Sequence, residues 1–183
     1  MNKIIHIILI SIISLTVLSC SSDDSKTATS SGLFIAVGQE GVILTSSDGA
    51  IWTSRTSGSS GVIWNIYYEN STFVGVGASG TILTSSDGTT WTSRTSGSTE
   101  GLFGITYGNG TFVVVGDNDS GSGTILTSSD GITWTSRTSG TTNDLWDVNY
   151  GNNTFVASDS TGGIITSSDG ISWTSRVGID TYG

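Results

Sequence analysis

Two regimes of hydrophobic patterning divide the chain. From Ile4 to Leu18 nearly every position is apolar, broken only by His6, two serines and a threonine. From Leu33 onward, runs of four to six β-branched and aromatic residues alternate with clusters of Gly, Asn, Asp and Ser. Such runs predict short strands joined by tight turns. Residues 102–140 show the layout once: strands at Leu102–Tyr107, Thr111–Val115, Thr124–Thr127 and Ile132–Arg137. Between the first two stands Asn109-Gly110, a two-residue hairpin signal, because both turn positions need positive φ. No stretch beyond the first apolar run has the 3.6-residue periodicity of a helix.

The layout recurs. Ile43 to Arg55 returns almost letter for letter, and its Trp52 reappears as Trp91, Trp134 and Trp173, at steps of 39, 43 and 39 residues. The longer step is accounted for by four extra residues within Asp117–Gly123. A fixed period of this size marks a repeat architecture. Four strands per unit of roughly 40 residues is the grammar of a propeller blade, so the expected fold is an all-β propeller of four four-stranded blades. The first repeat starts at Leu33-Phe34-Ile35-Ala36-Val37-Gly38, which matches a second strand. The tail Val177–Gly183 ends in Tyr-Gly, like Tyr107-Gly108 and Tyr150-Gly151. It is expected to supply the missing strand and close the ring, protecting an edge. A truncated larger ring and a face-to-face dimer are the alternatives.

Ser46-x-Asp48-Gly49-x-x-Trp52, repeated around Asp87, Asp130 and Asp169, resembles the Asp-box of sialidases, sortilin-type receptors and the photosystem II assembly-factor family of propellers. The resemblance covers Leu33 to Arg176, with one residue fewer between Ser and Trp than the common form. An Asp in such a turn accepts backbone N–H groups, and Gly supplies positive φ. The Trp is expected to bury its ring between sheets. The resemblance implies a structural role for Asp48, Asp87, Asp130 and Asp169 with Trp52, Trp91, Trp134 and Trp173, at blade edges remote from a ligand face. Arg55, Arg94, Arg137 and Arg176 each lie three residues past a Trp and read as surface residues rather than a carboxylate clamp.

The first apolar run is about 22 Å long as a helix, short of the roughly 30 Å a membrane core demands. Behind Met1-Asn2-Lys3 it reads as a signal peptide. Val17-Leu18-Ser19-Cys20 resembles the lipobox of bacterial lipoproteins, with Leu18 where many carry a smaller residue. Cys20, the only cysteine, is the expected lipidation site and membrane anchor. Polar residues 20–32 form a tether, and its Asp23-Asp24 resembles the tag that sends some lipoproteins to the outer face of the outer membrane; a plain solvated linker is the alternative. The expected division is signal peptide 1–19, tether 20–32 and propeller 33–183.

Charge narrows the partners. Once Lys3 leaves with the signal peptide, Lys26 and four arginines face 15 carboxylates. That balance argues against nucleic acid and anionic lipid surfaces and leaves cationic partners or divalent ions. Asp117 and Asp119, in the insertion that breaks the repeat, are a candidate calcium pair. The loop, however, has Ser128 where an EF-hand has its closing Glu. No other cofactor is expected. Trp64, Phe103 and Trp146 hold equivalent places early in the first strand; they read as core, or, if neighbouring loops leave them exposed, as a platform for sugar rings. The favoured function is a non-catalytic, surface-displayed binding or scaffolding propeller with a protein or glycan ligand. The alternative is a glycan-active enzyme of sialidase or glycosidase type. Against the enzyme, His6 leaves with the signal peptide, and Tyr68-Glu69 sits in no recognisable catalytic motif.

Overall fold

The computed structural model describes residues 32–119, for Asp119 the backbone alone, and 121–176. The first repeat contributes β1 (Phe34–Val37), β2 (Ile43–Ser46) and β3 (Thr53–Arg55). The second has β4 (Ile63–Glu69), β5 (Thr72–Gly77), β6 (Ile82–Ser85) and β7 (Thr92–Arg94). The third has β8 (Leu102–Gly108), β9 (Thr111–Asp119), β10 (Ser122–Ser128) and β11 (Thr135–Thr138). The fourth has β12 (Leu145–Gly151), β13 (Thr154–Asp159), β14 (Ile164–Ser167) and β15 (Thr174–Arg176). Each repeat is its own antiparallel sheet with strands in chain order, and the first has three strands among the described residues. The expected closing strand, Val177–Gly183, lies outside the described residues, as do the signal peptide, Cys20 and the tether up to residue 31. No helix of the described residues is long and apolar enough to cross a membrane.

The hairpins form where their turn residues tolerate positive φ. Asn109 and Gly110 have φ of 47° and 76°, and the pairs Asn70-Ser71 and Asn152-Asn153 do the same job. Two details depart from the sequence reading. The fourth strand of the third repeat begins at Thr135 rather than Ile132. Asp130 Oδ1 accepts the N–H groups of Ile132 and Thr133, at 2.8 and 2.9 Å, and so holds them in the turn. The four-residue insertion is not a free loop either: it lengthens the β9–β10 hairpin, pairing Ser122 with Asp119 and Gly123 with Asn118. The first two repeats turn at this place through single 3-10 turns, Gln39–Gly41 and Ala78–Gly80.

The core is built three times, once between each pair of successive sheets. Ile35, Val37 and Ile43 meet Ile63, Ile66, Phe73 and Leu83. Val74, Val76 and Ile82 meet Leu102, Ile105, Phe112, Val114 and Leu126. Val113, Val115 and Ile125 meet Leu145, Val148, Phe155, Ala157 and Ile165. Alternation along each strand presents one set of side chains to the preceding sheet and the other to the following one. Every large side chain fully buried here contributes about 1.5–3 kcal/mol.

Candidate binding surface

Two sets of side chains stood out in the sequence, and the structure keeps them apart. The first is the repeated turn. Ser46 Oγ donates to Asp48 Oδ1 at 2.9 Å and accepts the N–H of Gly49 at 2.8 Å. Asp48 Oδ1 in turn accepts the N–H groups of Ala50 and Ile51, at 2.8 and 2.9 Å. Asp87, Asp130 and Asp169 repeat the arrangement. These backbone donors, with the serine hydroxyl, hold all four carboxyls below their usual range. A carboxyl so held stays ionised and cannot act as a proton donor near neutrality.

The tryptophans of these turns are half-buried rather than enclosed between sheets. Each indole N–H of Trp52, Trp91, Trp134 and Trp173 donates to the glycine carbonyl three residues earlier, at 3.0–3.1 Å. The rings lie over the edge of the core; Trp134 is 6.5 Å from Phe112 between centroids. The arginines are also engaged: Nε of Arg55, Arg94, Arg137 and Arg176 donates to a threonine hydroxyl on the neighbouring strand. Side-chain polarity in these turns is directed inward, at the hairpin itself.

The second set is Trp64, Phe103 and Trp146. Each sits at a break in the pairing of its strand. The ladder skips from Ile63 to Asn65, from Leu102 to Gly104 and from Leu145 to Asp147. The skipped residue is the aromatic in every case. A β-bulge turns its extra residue out of the ladder and re-aims the side chain. Here it brings three rings from three sheets into one row. Trp64 and Phe103 have centroids 4.7 Å apart, and Phe103 stacks on Trp146 at 5.5 Å and 16°. Trp64 and Phe103 are half-buried, whereas Trp146 is 56% exposed. The expectation that these residues are core therefore fails for Trp146. The sequence did carry a signal: Leu145, Val148 and Tyr150 face the core at a spacing of three and then two, where an unbroken strand keeps to two.

One carboxylate, Asp117, stands beside the row at Trp64. A Cβ on Gly101 would stand 2.7 Å from Asp117 Oδ2 and 3.0 Å from the Trp64 ring, so only glycine lets these groups meet. Burial pushes the Asp117 carboxyl upward, and the nearby charges of Asp144 and Glu100 add to it, against a hydrogen bond from Gly101 N–H. Asp144 is tied across the repeat boundary, accepting the Asn118 N–H at 2.9 Å. Asn118 also donates its side-chain amide to the Thr142 carbonyl. Among the described residues no group of three or more His, Cys, Asp or Glu is placed to hold a metal ion. The Asp119 side chain of the calcium candidate lies outside the description. An open cleft of about 310 Å3 runs between the turns of the second and third repeats, lined by Thr72, Ser86, Arg94, Asp130 and Ile132 among others.

No family model matches the chain, and no characterised protein matches it in sequence. Solved structures do. YCF48 from Cyanidioschyzon merolae superposes with a TM-score of 0.61 at 19% identity, over 81% of this chain and 53% of that one. The chain has the four-blade β-propeller fold. YCF48 bound to D1 peptide gives a TM-score of 0.59 at 19% identity, over 81% of this propeller and 50% of that chain. The GH74 enzyme of Niastella koreensis gives 0.53 at 20% identity, over 78% of the propeller but 22% of the enzyme. The propeller thus spans about half the length of the two YCF48 structures. At these identities the likeness speaks for the fold.

Proposed function

We propose that this propeller is a non-catalytic binding module, displayed on the cell envelope through acylated Cys20 and a polar tether, and that it takes a protein or glycan ligand on the row Trp64–Phe103–Trp146. The observation that carries the reading is the coincidence of three bulges with three aromatics. Re-aimed side chains at bulges are a device of functional surfaces. Flat rings offer stacking area to a sugar face or an apolar side chain, and Asp117 beside Trp64 accepts hydrogen bonds from hydroxyl or ammonium groups. The solved complex of YCF48 with a D1 peptide supports a peptide or protein as one ligand class. The repeated Ser-Asp-Gly-Trp turns then serve stability.

A second reading rests on Asp117. Its raised pKa beside the half-buried ring of Trp64 fits a general acid, and a glycosidase propeller is among the structural neighbours. Screening the protein on glycan and peptide arrays separates the two. The binding reading expects saturable retention without turnover, lost in Trp146→Ala. Glycoside turnover that disappears in Asp117→Asn would replace it with the enzyme. The anchor has its own check. Cys20→Ala should move the protein from the detergent phase to the aqueous phase, and unchanged partitioning contradicts acylation there.

A further inference from the structure

The three internal interfaces repeat one another, and among the described residues the two ends of the array present the corresponding halves with no sheet packed on them. On the side facing the next sheet, Ile35, Val74 and Val113 are fully buried, as are Ile43, Ile82 and Ile125. The equivalent residues of the fourth repeat, Val156 and Ile164, are 41% and 37% exposed. On the side facing the preceding sheet, Leu83, Leu126 and Ile165 are buried, whereas Leu44 of the first repeat is half-exposed. The turn glycines report the same asymmetry. A Cβ on Gly88 would meet Ile35 at 3.0 Å, one on Gly131 Val74 at 3.2 Å, and one on Gly170 Val113 at 3.0 Å, each in the preceding repeat. A Cβ on Gly49 would meet only Phe34 of its own repeat, at 3.9 Å.

We propose that the exposed face of the fourth repeat receives the first repeat of a second copy of this chain, so that Val156 of one copy packs against Gly49 of the other. The two faces differ from a protein surface of arbitrary composition in one respect. Their equivalents already pair with each other three times within the molecule, with Val or Ile at the place of Val156, Ile at that of Ile164 and Leu or Ile at that of Leu44; the first-strand residues that complete those interfaces, such as Ile63, Leu102 and Leu145, have no counterpart among the described residues of the first repeat. The contact is head-to-tail, so it closes into a ring or continues as a filament. Two copies bring eight blades, within the range of closed propellers. The fourth repeat carries Ser158 and Asn149, both exposed, where the third has Val115 and Thr106, both buried. Those exchanges weaken the apolar drive and make the association reversible.

Sedimentation of the full-length chain in mild detergent, over a wide range of concentration, tests this. The expected result is a mass that rises from one copy to two or more. Ile164→Asp, at an exposed position, should fold normally and weaken association at least about tenfold. Leu44→Asp spoils the opposite face and should do the same. Mixing the two variants leaves one intact pair of faces, so a one-to-one pair should reappear; face-to-face pairing of identical surfaces would give no such rescue. If Leu44→Asp fails to fold, Ile164→Asp alone decides. A wild-type chain that stays a single copy at all concentrations overturns the proposal, whether its own residues 177–183 cover the face or nothing does. Association that survives Ile164→Asp overturns it too.

Discussion

Trp134 and Trp146 stand twelve residues apart and are used in opposite ways. Trp134 is half-buried over Phe112, and its indole N–H is donated to Gly131 within its own turn. Trp146 is turned out of its strand, stacked on Phe103 and more than half exposed. Its N–H has no hydrogen-bond partner among the described residues. The first pattern recurs in all four repeats with nearly constant distances. The second is assembled across three repeats from two tryptophans and a phenylalanine. What the repeat copies faithfully is what each hairpin needs in order to form. What varies at one position of the repeat is what the assembled surface shows to solvent.

That contrast is broken most severely from beneath the turns. Phe112 is fully buried between the second and third sheets and supports Trp134. Phe112→Ala should cost about 3–5 kcal/mol in denaturant unfolding. Trp134→Ala should cost less, about 1–3 kcal/mol, because part of the side chain is already in water and one hydrogen bond is lost. A loss for Trp134→Ala as large as that for Phe112→Ala would mean the turn tryptophans are core after all.

Acid supplies a finer test of the turns. The carboxyls of Asp48, Asp87, Asp130 and Asp169 sit below their ordinary value of 3.8 in the folded protein. A lowered folded pKa gives stability that is present above about pH 4 and is lost as pH falls toward the folded value. Asp159 acts in the same sense: burial works to raise it, but donors from Asn143, Thr161 and Gly163 outweigh that. Asp117 opposes them, since its raised pKa relieves the fold on protonation. The melting temperature should therefore fall below about pH 4. Asp130→Asn, which carries no titrating group there, should melt lower at neutral pH and show a shallower acid slope. Equal slopes would remove the Asp130 carboxyl from the account.

How far the chain could be read in advance follows the same division. Hairpins and period were legible, because each rests on residues close in sequence: Asn109-Gly110 for a turn, Thr111–Val115 for a strand. The fourth strand was misplaced at its start because Asp130 outcompetes the ladder for the N–H groups of Ile132 and Thr133. The insertion became hairpin because Asn118 and Gly123 found each other across it. The aromatic row was half legible. The equivalence of Trp64, Phe103 and Trp146 shows in an alignment of the chain on itself, but their meeting depends on how successive sheets are stacked. For the same reason Val156 reads like Val113 and is nonetheless exposed: burial there is a property of the neighbouring sheet.

Trp146→Ala should change the unfolding free energy by no more than about 0.5 kcal/mol, since most of the ring is in solvent. The same variant gives the most direct measurement of all. With a ligand from the glycan or peptide arrays, Kd is measured alongside melting for the wild type, Trp146→Ala and Trp134→Ala. The account predicts that Trp146→Ala weakens binding about tenfold or more at unchanged melting temperature, as for a contact aromatic. It predicts that Trp134→Ala lowers the melting temperature and leaves Kd as it was. Binding that survives loss of Trp146, or that is lost instead with Trp134, would contradict the assignment of the aromatic row as the ligand surface.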